Sequence, residues 1–161
     1  MRKRKYEIVA ESYLTEWLGM TYPPGTWTTN VNVGRPVIPP HVKLTKEEEA
    51  WIKRAFVAKV DAIVLLPDEV HLVECKIRND RGKIEQLLIY EWLFKRDEDF
   101  KAHWHKKIRK ILLTPKDQGM LEEFLRMYGI EVVYYKPLWI IEYLNSLRRA
   151  DRRGMLSSVE F

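Results

Sequence analysis

Two short apolar segments with a tight turn between them constrain this sequence more than any other feature. Residues 55–66 (AFVAKVDAIVLL) and 70–77 (VHLVECKI) are rich in Val, Ile and Leu, and Pro67, Asp68 and Glu69 separate them. Runs of this composition and length are typical of buried strands, and Pro-Asp is a favourable turn sequence. The pattern predicts an antiparallel hairpin at the centre of the fold.

The length of the turn decides which residues of the hairpin face each other. A two-residue turn places Asp61 directly opposite Glu74. Because side chains alternate along a strand, Lys59 and Lys76 share the face of these carboxylates. The other face, on which His71 is the one polar side chain, is predicted to be core. It comprises Phe56, Ala58, Val60, Ala62, Val64, Val73, Cys75 and Ile77.

Two like charges opposite each other in a sheet repel unless a cation lies between them. Lys76 is one candidate, and a divalent cation is the other. Carboxylate oxygens suit Mg²⁺ or Mn²⁺, which complete their coordination with water and phosphate oxygens. Such an ion lowers the pKa of water and neutralises charge on a phosphodiester, while a nearby lysine positions the water. The trio indicates phosphodiester hydrolysis, and a surface ion-pair ladder without metal is the structural alternative.

The remaining segments predict alternating helices and strands. Apolar spacing favours a helix over residues 6–19, residues 26–33 are β-prone, and Thr45 with Glu48 forms a capping box for a short helix ending near Arg54. Further predicted elements are a helix at 81–96 capped by Asn79-Asp80, a strand at 108–113, a helix at 116–128 opened by Thr114-Pro115, a strand at 130–136 and a helix at 138–149. The order predicts an α/β fold with a mixed central β-sheet flanked by helices, as a single domain over residues 1–161.

The positive charge of the chain is unevenly distributed. The net charge is +5, and residues 1–100 carry 16 basic and 16 acidic side chains, whereas residues 101–161 carry 12 and 7. Basic runs occur at 106–110 and 148–153. This distribution favours a polyanionic partner, nucleic acid before a membrane surface, and a basic surface without a partner is the alternative.

Several classes of protein and site are excluded or disfavoured by composition. A single cysteine, Cys75, rules out a disulfide framework and any CxxC zinc site. His103 and His105 are predicted to be exposed loop residues, because no cysteine or acidic cluster stands beside them. No apolar run approaches the roughly 20 residues that cross a bilayer, so we expect a cytoplasmic protein without a membrane partner.

The hairpin residues resemble a known family. Asp61, twelve intervening residues and then Glu74-Cys75-Lys76 resemble the motif of the PD-(D/E)XK nuclease superfamily, and the order of elements resembles its restriction-endonuclease-like αβββαβ core. Val60 stands where the name motif has proline. Relative to that core, residues 20–54 are expected to be an insertion between first helix and hairpin, and residues 138–161 a basic helical extension.

A second resemblance lies in the helix that follows the hairpin. Gln86 and Tyr90 resemble the QxxxY motif of RecB-like exonuclease domains. Their spacing puts the amide and the phenol on one side of the helix, where they would hold a DNA phosphate or the catalytic lysine. The alternative is that Tyr90 is a core aromatic residue.

The resemblance implies metal-dependent cleavage of DNA. It makes Asp61, Glu74 and the backbone carbonyl of Cys75 the metal ligands, and Lys76 the residue that organises the attacking water. The family commonly adds an acidic ligand from the first helix. Glu11 is favoured there, since the apolar residues that follow it resemble the first helices of archaeal Holliday-junction resolvases, with Glu7 and then Glu16 as alternatives.

We therefore expect a Mg²⁺- or Mn²⁺-dependent deoxyribonuclease that acts in repair, recombination or replication. Its partner would be DNA, whether single-stranded, duplex or branched, and a homodimer is an open possibility. A non-catalytic nucleic-acid-binding module on a nuclease fold is the first alternative, and an interaction protein with a basic tail is the second. Exonuclease or endonuclease mode, polarity and a preference for RNA stay open.

Overall fold

The computed structural model describes residues 5–55, 57–78 and 84–157, with side chains of the last range described from 85 to 153. Helices and strands alternate along most of the chain. The elements are α1 (Lys5–Thr21), β1 (Trp27–Val33), α2 (Lys46–Ala55), β2 (Ala58–Leu65), β3 (Glu69–Cys75), α3 (Ile84–Phe94), a 3-10 helix (Glu98–His103), β4 (Lys107–Thr114), α4 (Met120–Met127), β5 (Ile130–Tyr134) and α5 (Leu138–Ser157).

The five strands form one mixed sheet in the order β1-β2-β3-β4-β5. The first three strands are antiparallel neighbours, and β4 and β5 continue the sheet in the direction of β3. The parallel connections run through α3 and α4, as parallel strands require a crossover. The predicted α/β fold with a mixed central sheet is confirmed.

The β2–β3 hairpin has the predicted register. Ala62 pairs with Val73 and Leu65 pairs with Val70, and the backbone N–H of Leu66 donates to the carbonyl of Glu69 (2.9 Å). A two-residue turn therefore closes the hairpin. The paired residues end at Ala62 and Val73, and continuing this register by one position would set Asp61 against Glu74.

Apolar side chains cover both faces of the sheet. On one face, Tyr13, Trp17 and Leu18 of α1 and Ile140 of α5 pack onto the strands. On the other, α3 contributes four buried residues and α4 contributes Leu125. The central strands are therefore covered on both sides, which is why their sequences are apolar at consecutive positions. The four residues of α3 are Leu87, Tyr90, Leu93 and Phe94.

The predicted core face of β2 is wrong in its first half. Ala62 and Val64 share a core face with Val73 and Ile77 as expected, and this face packs under α1. Ala58 and Val60 instead pack under α3. Strict alternation would keep these four residues of β2 on one face, so β2 changes face at Asp61. Phe56, which was assigned to the same face, lies outside the described residues.

Strand β1 changes face at the same level as β2. Trp27 packs on the α1 side, whereas Val31 and Val33 pack on the α3 side. Within the described ranges, Asn30 is the one non-glycine residue with a positive φ, 55°, and the β1–β2 register places it across from Asp61. Asn tolerates this left-handed conformation better than most residues. The register is the same on both sides of the break, so both strands change face together.

Helix boundaries follow the predictions at α2 and depart from them at α4. The capping box is present, since the N–H of Thr45 donates to Glu48 Oε2 (2.8 Å) and the N–H of Glu48 donates to Thr45 Oγ1 (3.2 Å). Helix α4 begins at Met120 rather than near 116, because Thr114 Oγ1 accepts from the N–H of Lys116 in a turn. The expected cap at Asn79-Asp80 lies outside the described residues.

The segment expected as an insertion, residues 20–54, contributes strand β1 to the sheet and also contains most of α2. Helix α2 has no buried side chain and lies outside the two core layers. Helix α5 runs to residue 157, further than the predicted end at 149. Across the described ranges, none of the helices combines the length and apolar character that a bilayer crossing demands.

Candidate active site

The two central carboxylates of the hairpin share the walls of two adjoining cavities. One cavity, of about 400 Å³, lies on the α1 side, and the other, of about 450 Å³, lies on the α3 side. Asp61, Glu74 and Lys59 line both of them. The predicted juxtaposition of Asp61 and Glu74 is therefore present, and it opens toward both helical layers rather than lying on one polar face.

Asp61 is oriented by the backbone of the neighbouring strand. Its Oδ2 accepts a hydrogen bond from the N–H of Cys75 (2.8 Å). Asn30 lines the same cavity from β1, across from Asp61 in the register. The change of face in β1 and β2 thus places a carboxylate where the sheet gives access to the α1 side and the α3 side at once.

Glu74 is buried, and Tyr90 of the QxxxY motif contacts it. Only 3% of Glu74 is exposed. The phenol of Tyr90 lies 3.2 Å from Glu74 Oε2, 3.1 Å from Gln86 Oε1 and 3.0 Å from the carbonyl of Lys59. A phenol has one proton, so it donates to one of these acceptors at a time; turning the Gln86 amide over would let its NH₂ donate to the phenol. Burial, followed by the charges of Glu74 and Asp61, raises the pKa of Tyr90.

Through Tyr90, the motif thus contacts Glu74, and the expected contact of the motif with a phosphate or the lysine stays a prediction. Gln86 and Tyr90 both line the cavity on the α3 side, and Tyr90 is also a member of the core cluster beneath α3. The interpretation of Tyr90 as a core aromatic residue is confirmed, because its ring is packed beneath α3. Its hydroxyl reaches Glu74, and its role as a site residue stays a prediction.

Lys76 follows β3 and lines the cavity on the α1 side. Only 7% of it is exposed, and its backbone N–H donates to the carbonyl of Leu113 (2.8 Å). Burying a lysine is costly unless polar or charged groups surround it. The side chain of Lys76 lines the same cavity as Asp61 and Glu74, as the sequence predicts.

Two of the three candidate glutamates of α1 reach the site. Glu7 and Glu11 line the cavity on the α1 side, together with Asp61 and Glu74. Glu16 accepts hydrogen bonds from the Tyr135 hydroxyl and from Trp139 Nε1 instead, and the Tyr135 hydrogen bond lowers its pKa. Glu16 lines neither cavity, so the structure leaves Glu11 and Glu7 as candidates for a third acidic ligand.

The side chain of Cys75 packs against the core, as predicted. It is partly buried in the core cluster beneath α1, and its Sγ lies 4.0 Å from the carbonyl of Ala10. Burial, followed by the charges of Asp61 and Glu74, raises the pKa of Cys75 well above its usual value. A thiolate nucleophile is disfavoured there, and the contribution of Cys75 to a metal site would be its backbone carbonyl.

The basic run at 106–110 is largely engaged within the protein. Lys106 Nζ donates to the carbonyl of Leu66 (2.7 Å), Lys110 pairs with Glu91 (2.5 Å), and Arg109 pairs with acidic residues of β3 and β5. His105 is exposed as expected, but His103, at the end of the 3-10 helix, is partly buried. Part of the expected nucleic-acid contact surface is thus committed to structural pairs.

Two features of the site were not predicted. Arg78 lies with its guanidinium carbon 4.8 Å from the centre of the Tyr6 ring, and both residues line the cavity that holds Asp61 and Glu74. The other feature is the left-handed Asn30. The position of Arg78, two residues after Lys76, could have marked it as a candidate site residue from the sequence. Its contact with Tyr6 of α1 could not be predicted, because that contact depends on the fold.

Within the described residues, no three His, Cys, Asp or Glu side chains lie close enough together to form a complete metal-ligand group. The carboxylates of Asp61 and Glu74 with the Cys75 carbonyl are oxygen donors, and Mg²⁺ commonly takes one or two protein carboxylates and fills its remaining positions with water and phosphate. The donor chemistry therefore fits that ion. No protein-family model, curated protein or solved structure matches this chain. The function of the protein therefore has to be inferred from the geometry of the site.

Proposed function

We propose that this protein is a Mg²⁺- or Mn²⁺-dependent deoxyribonuclease of the PD-(D/E)XK type that acts in nucleic-acid processing. One observation carries the proposal. Asp61 and Glu74 converge from two antiparallel strands on shared cavity walls, and the buried Lys76 lines one of the same cavities. Two acids and an amine in this arrangement suit phosphodiester hydrolysis better than a surface ion-pair ladder, because the ladder would be solvated.

The order of the elements supports the same proposal. Leaving out α2, the chain runs α1, β1, β2, β3, α3, β4, which is the αβββαβ order of a restriction-endonuclease-like core. Helix α2 then forms an insertion between the first two strands, and α5 forms the C-terminal extension. The candidate residues fall on the second and third strands of that order and on the helix after them.

Asp61, Glu74 and the carbonyl of Cys75 would hold the metal ion, with Glu11 or Glu7 as the added acid. When bound, Mg²⁺ or Mn²⁺ would activate water and neutralise charge that develops on the phosphate. The Cys75 N–H orients the Asp61 carboxylate, and the Tyr90 hydroxyl orients that of Glu74. Fixing a ligand by a second hydrogen bond is a general way to pre-organise a site.

Lys76 would contribute its ammonium group to the same cavity. A positive charge there can orient the attacking water and stabilise negative charge on the phosphate in the transition state. Because Lys76 is nearly buried, the surroundings hold its side chain in place, and the interaction is less screened by solvent than at an exposed lysine.

The test is a cleavage assay with labelled single-stranded, duplex and branched DNA in Mg²⁺, Mn²⁺ or EDTA. We expect metal-dependent cleavage that falls by about 100-fold or more in Asp61→Asn and in Lys76→Ala. Asn retains an acceptor for the Cys75 N–H, so the hairpin is kept while the charge is lost.

Matched controls are available on the surface. Asp68→Asn removes an exposed carboxylate at the hairpin turn, and Lys101→Ala removes an exposed lysine of the 3-10 helix. Both controls are expected to cleave as the parent does. Cleavage that persists in EDTA, or that survives both site variants, would contradict the proposal. DNA binding without any cleavage would favour the non-catalytic module. A cytoplasmic location and a homodimer stay predictions.

A further inference from the structure

An arginine stacked on a tyrosine borders the candidate site. Arg78 is exposed, and its guanidinium carbon lies 4.8 Å from the ring centre of Tyr6 in the first turn of α1. Both residues line the α1-side cavity together with Asp61, Glu74 and Lys76. The pair ties the chain that leaves β3 to the start of α1 at the edge of this cavity.

The stacked geometry suits phosphate binding. A guanidinium that lies over a ring keeps its five N–H donors in its own plane, and their forked arrangement matches phosphate oxygens. In the part of the chain that the structure describes, Arg78 forms no ion pair, whereas Arg109 pairs with both Glu69 and Glu131. The hydrogen-bonding edge of Arg78 is therefore not committed to an acidic side chain of those ranges.

The cavity beside Arg78 has an acidic lining. The α1-side cavity is lined by the carboxylates of Glu7, Glu11, Asp61 and Glu74, which repel a polyanion at close range. Lys76 is nearly buried, so the cations of this wall that solvent reaches most readily belong to Lys59 and Arg78. A nucleic-acid strand that crosses the cavity needs such cations beside the carboxylates.

We propose that Arg78, held by the ring of Tyr6, binds the backbone phosphate next to the one at the carboxylates. The inference rests on the proposed function, because it takes the strand to be the substrate. Two residues of chain span at most about 7 Å, so the backbone of Arg78 lies close to that of Lys76. The guanidinium group of Arg78 lies over the Tyr6 ring. The contact is to backbone, so it carries no base preference, and it makes Arg78 a phosphate-binding residue rather than a catalytic one.

The chain supplies a matched control. Arg96 is also exposed and also lies over an aromatic ring, with its guanidinium carbon 3.9 Å from the centre of Trp92. Neither Arg96 nor Trp92 lines the two cavities. The same change at Arg78 and at Arg96 removes one positive charge and one cation–π contact, and at Arg96 also a hydrogen bond to the carbonyl of Trp92 (3.1 Å). The two arginines differ above all in their position relative to the site.

The experiment measures binding of a labelled single-stranded oligodeoxynucleotide by fluorescence anisotropy, at several salt concentrations, in Mg²⁺. All variants carry Asp61→Asn, so that cleavage does not interfere. We expect Arg78→Ala to raise Kd about tenfold, the effect of losing one charged hydrogen bond, and to lower the slope of log Kd against log salt by about 0.7. Arg78→Lys keeps the charge and therefore the slope, but Kd rises about threefold because the stacked fork is lost.

Arg96→Ala is expected to leave Kd and the salt slope unchanged. The inference is overturned if Arg78→Ala binds as its parent does, if Arg96→Ala shows the same loss, or if the parent does not bind the oligonucleotide. Cleavage by the protein with Asp61 intact is scored separately. A protein that cleaves nothing while binding depends on Arg78 contradicts the nuclease but keeps the phosphate contact. A protein that cleaves DNA but binds the oligonucleotide equally well with and without Arg78 keeps the nuclease proposal and contradicts the phosphate contact.

Discussion

At the turn end of the β2–β3 hairpin, charged and polar side chains are paired with one another, whereas at the other end two carboxylates line cavities. The buried His71 joins Tyr22 and Glu69 near the turn, and Arg109 joins Glu69 to β5. Asp61, at the other end, accepts from a backbone N–H, and Glu74 lies beside a phenol. One sheet thus uses polar groups for two different purposes.

At the turn end, the hydrogen bonds of the polar side chains converge on His71. Nε2 of His71 lies 2.7 Å from Glu69 Oε2, and Nδ1 lies 2.7 Å from the Tyr22 hydroxyl. An ionised carboxylate only accepts, so Nε2 donates to Glu69, while Nδ1 shares a hydrogen bond with the Tyr22 hydroxyl. Each member of this network has a hydrogen-bonding or ionic partner within it, and none of its residues lines either of the two cavities beside Asp61. We therefore expect the turn end to contribute stability, and under the proposed function the other end to bind a metal ion.

The largest expected effect concerns Glu74. We expect Glu74→Gln to lower metal-dependent cleavage by about 100-fold or more, while the free energy of unfolding changes by less than about 1 kcal/mol, because the amide keeps an acceptor and removes repulsion with Asp61. Cleavage assays and urea unfolding measure the two effects. A large loss of stability with intact cleavage would reverse the comparison between the two ends.

The next effect is at the turn end. His71→Ala removes a buried imidazole with two hydrogen bonds and should lower the free energy of unfolding by about 3 kcal/mol. Tyr22→Phe keeps the ring that packs on Trp17 and should cost about 1 kcal/mol. Both are measured by urea unfolding, and the specific activity of the folded fraction should match the parent. A parallel loss of activity would show that the ends are not separate.

A smaller effect tests the hydrogen bond between Tyr90 and Glu74. Tyr90→Phe keeps the packed ring and removes the hydroxyl, so we expect about tenfold more Mn²⁺ to be needed for half-maximal cleavage. Saturating metal should restore most of the rate, which a purely structural defect would not allow. Tyr128→Phe, an exposed tyrosine of the segment after α4, is the control. An unchanged Mn²⁺ requirement would remove Tyr90 from the site.

The smallest effect is the pH dependence of stability at Glu69. The hydrogen bond from His71 lowers the pKa of Glu69, with Arg109 adding to it. A carboxyl whose pKa is lower in the folded state stabilises the fold above its unfolded pKa of about 4.3, and this contribution is lost as the pH falls through the folded pKa. Glu69→Gln should flatten the acid side of the stability profile. Asp68→Asn, outside the network, should retain the parent slope.

The hairpin could be predicted because its information is local. A two-residue turn and the apolar alternation define one register, which the structure has from Leu65–Val70 to Ala62–Val73, and Asp61 and Glu74 line the same cavities just beyond it. The capping box of α2 is local for the same reason. Gln86 and Tyr90 were placed on one side of a helix by spacing alone, and they do contact each other.

The errors and omissions have nonlocal or conformational causes. The prediction for Ala58 and Val60 was wrong because it assumed that side chains alternate without interruption along the strand. The positive φ of Asn30, which lies at the break, could not be predicted from the residues around it. Helix α4 begins at Met120, after the N-cap Gly119, whose φ is 53°. The Thr114-Pro115 pair had predicted a start near residue 116. The pairing of Arg78 with Tyr6 joins distant parts of the chain, so only the fold reveals it.

The coordinated change of face at Asn30 and Asp61 bears on any attempt to transplant this site. Copying the hairpin onto another sheet would import the carboxylates, but a neighbouring strand with regular alternation would cover one entrance with side chains. A recipient scaffold would therefore need the left-handed residue in the adjacent edge strand as well as the acids. The unit that a protein engineer would have to graft is three strands wide.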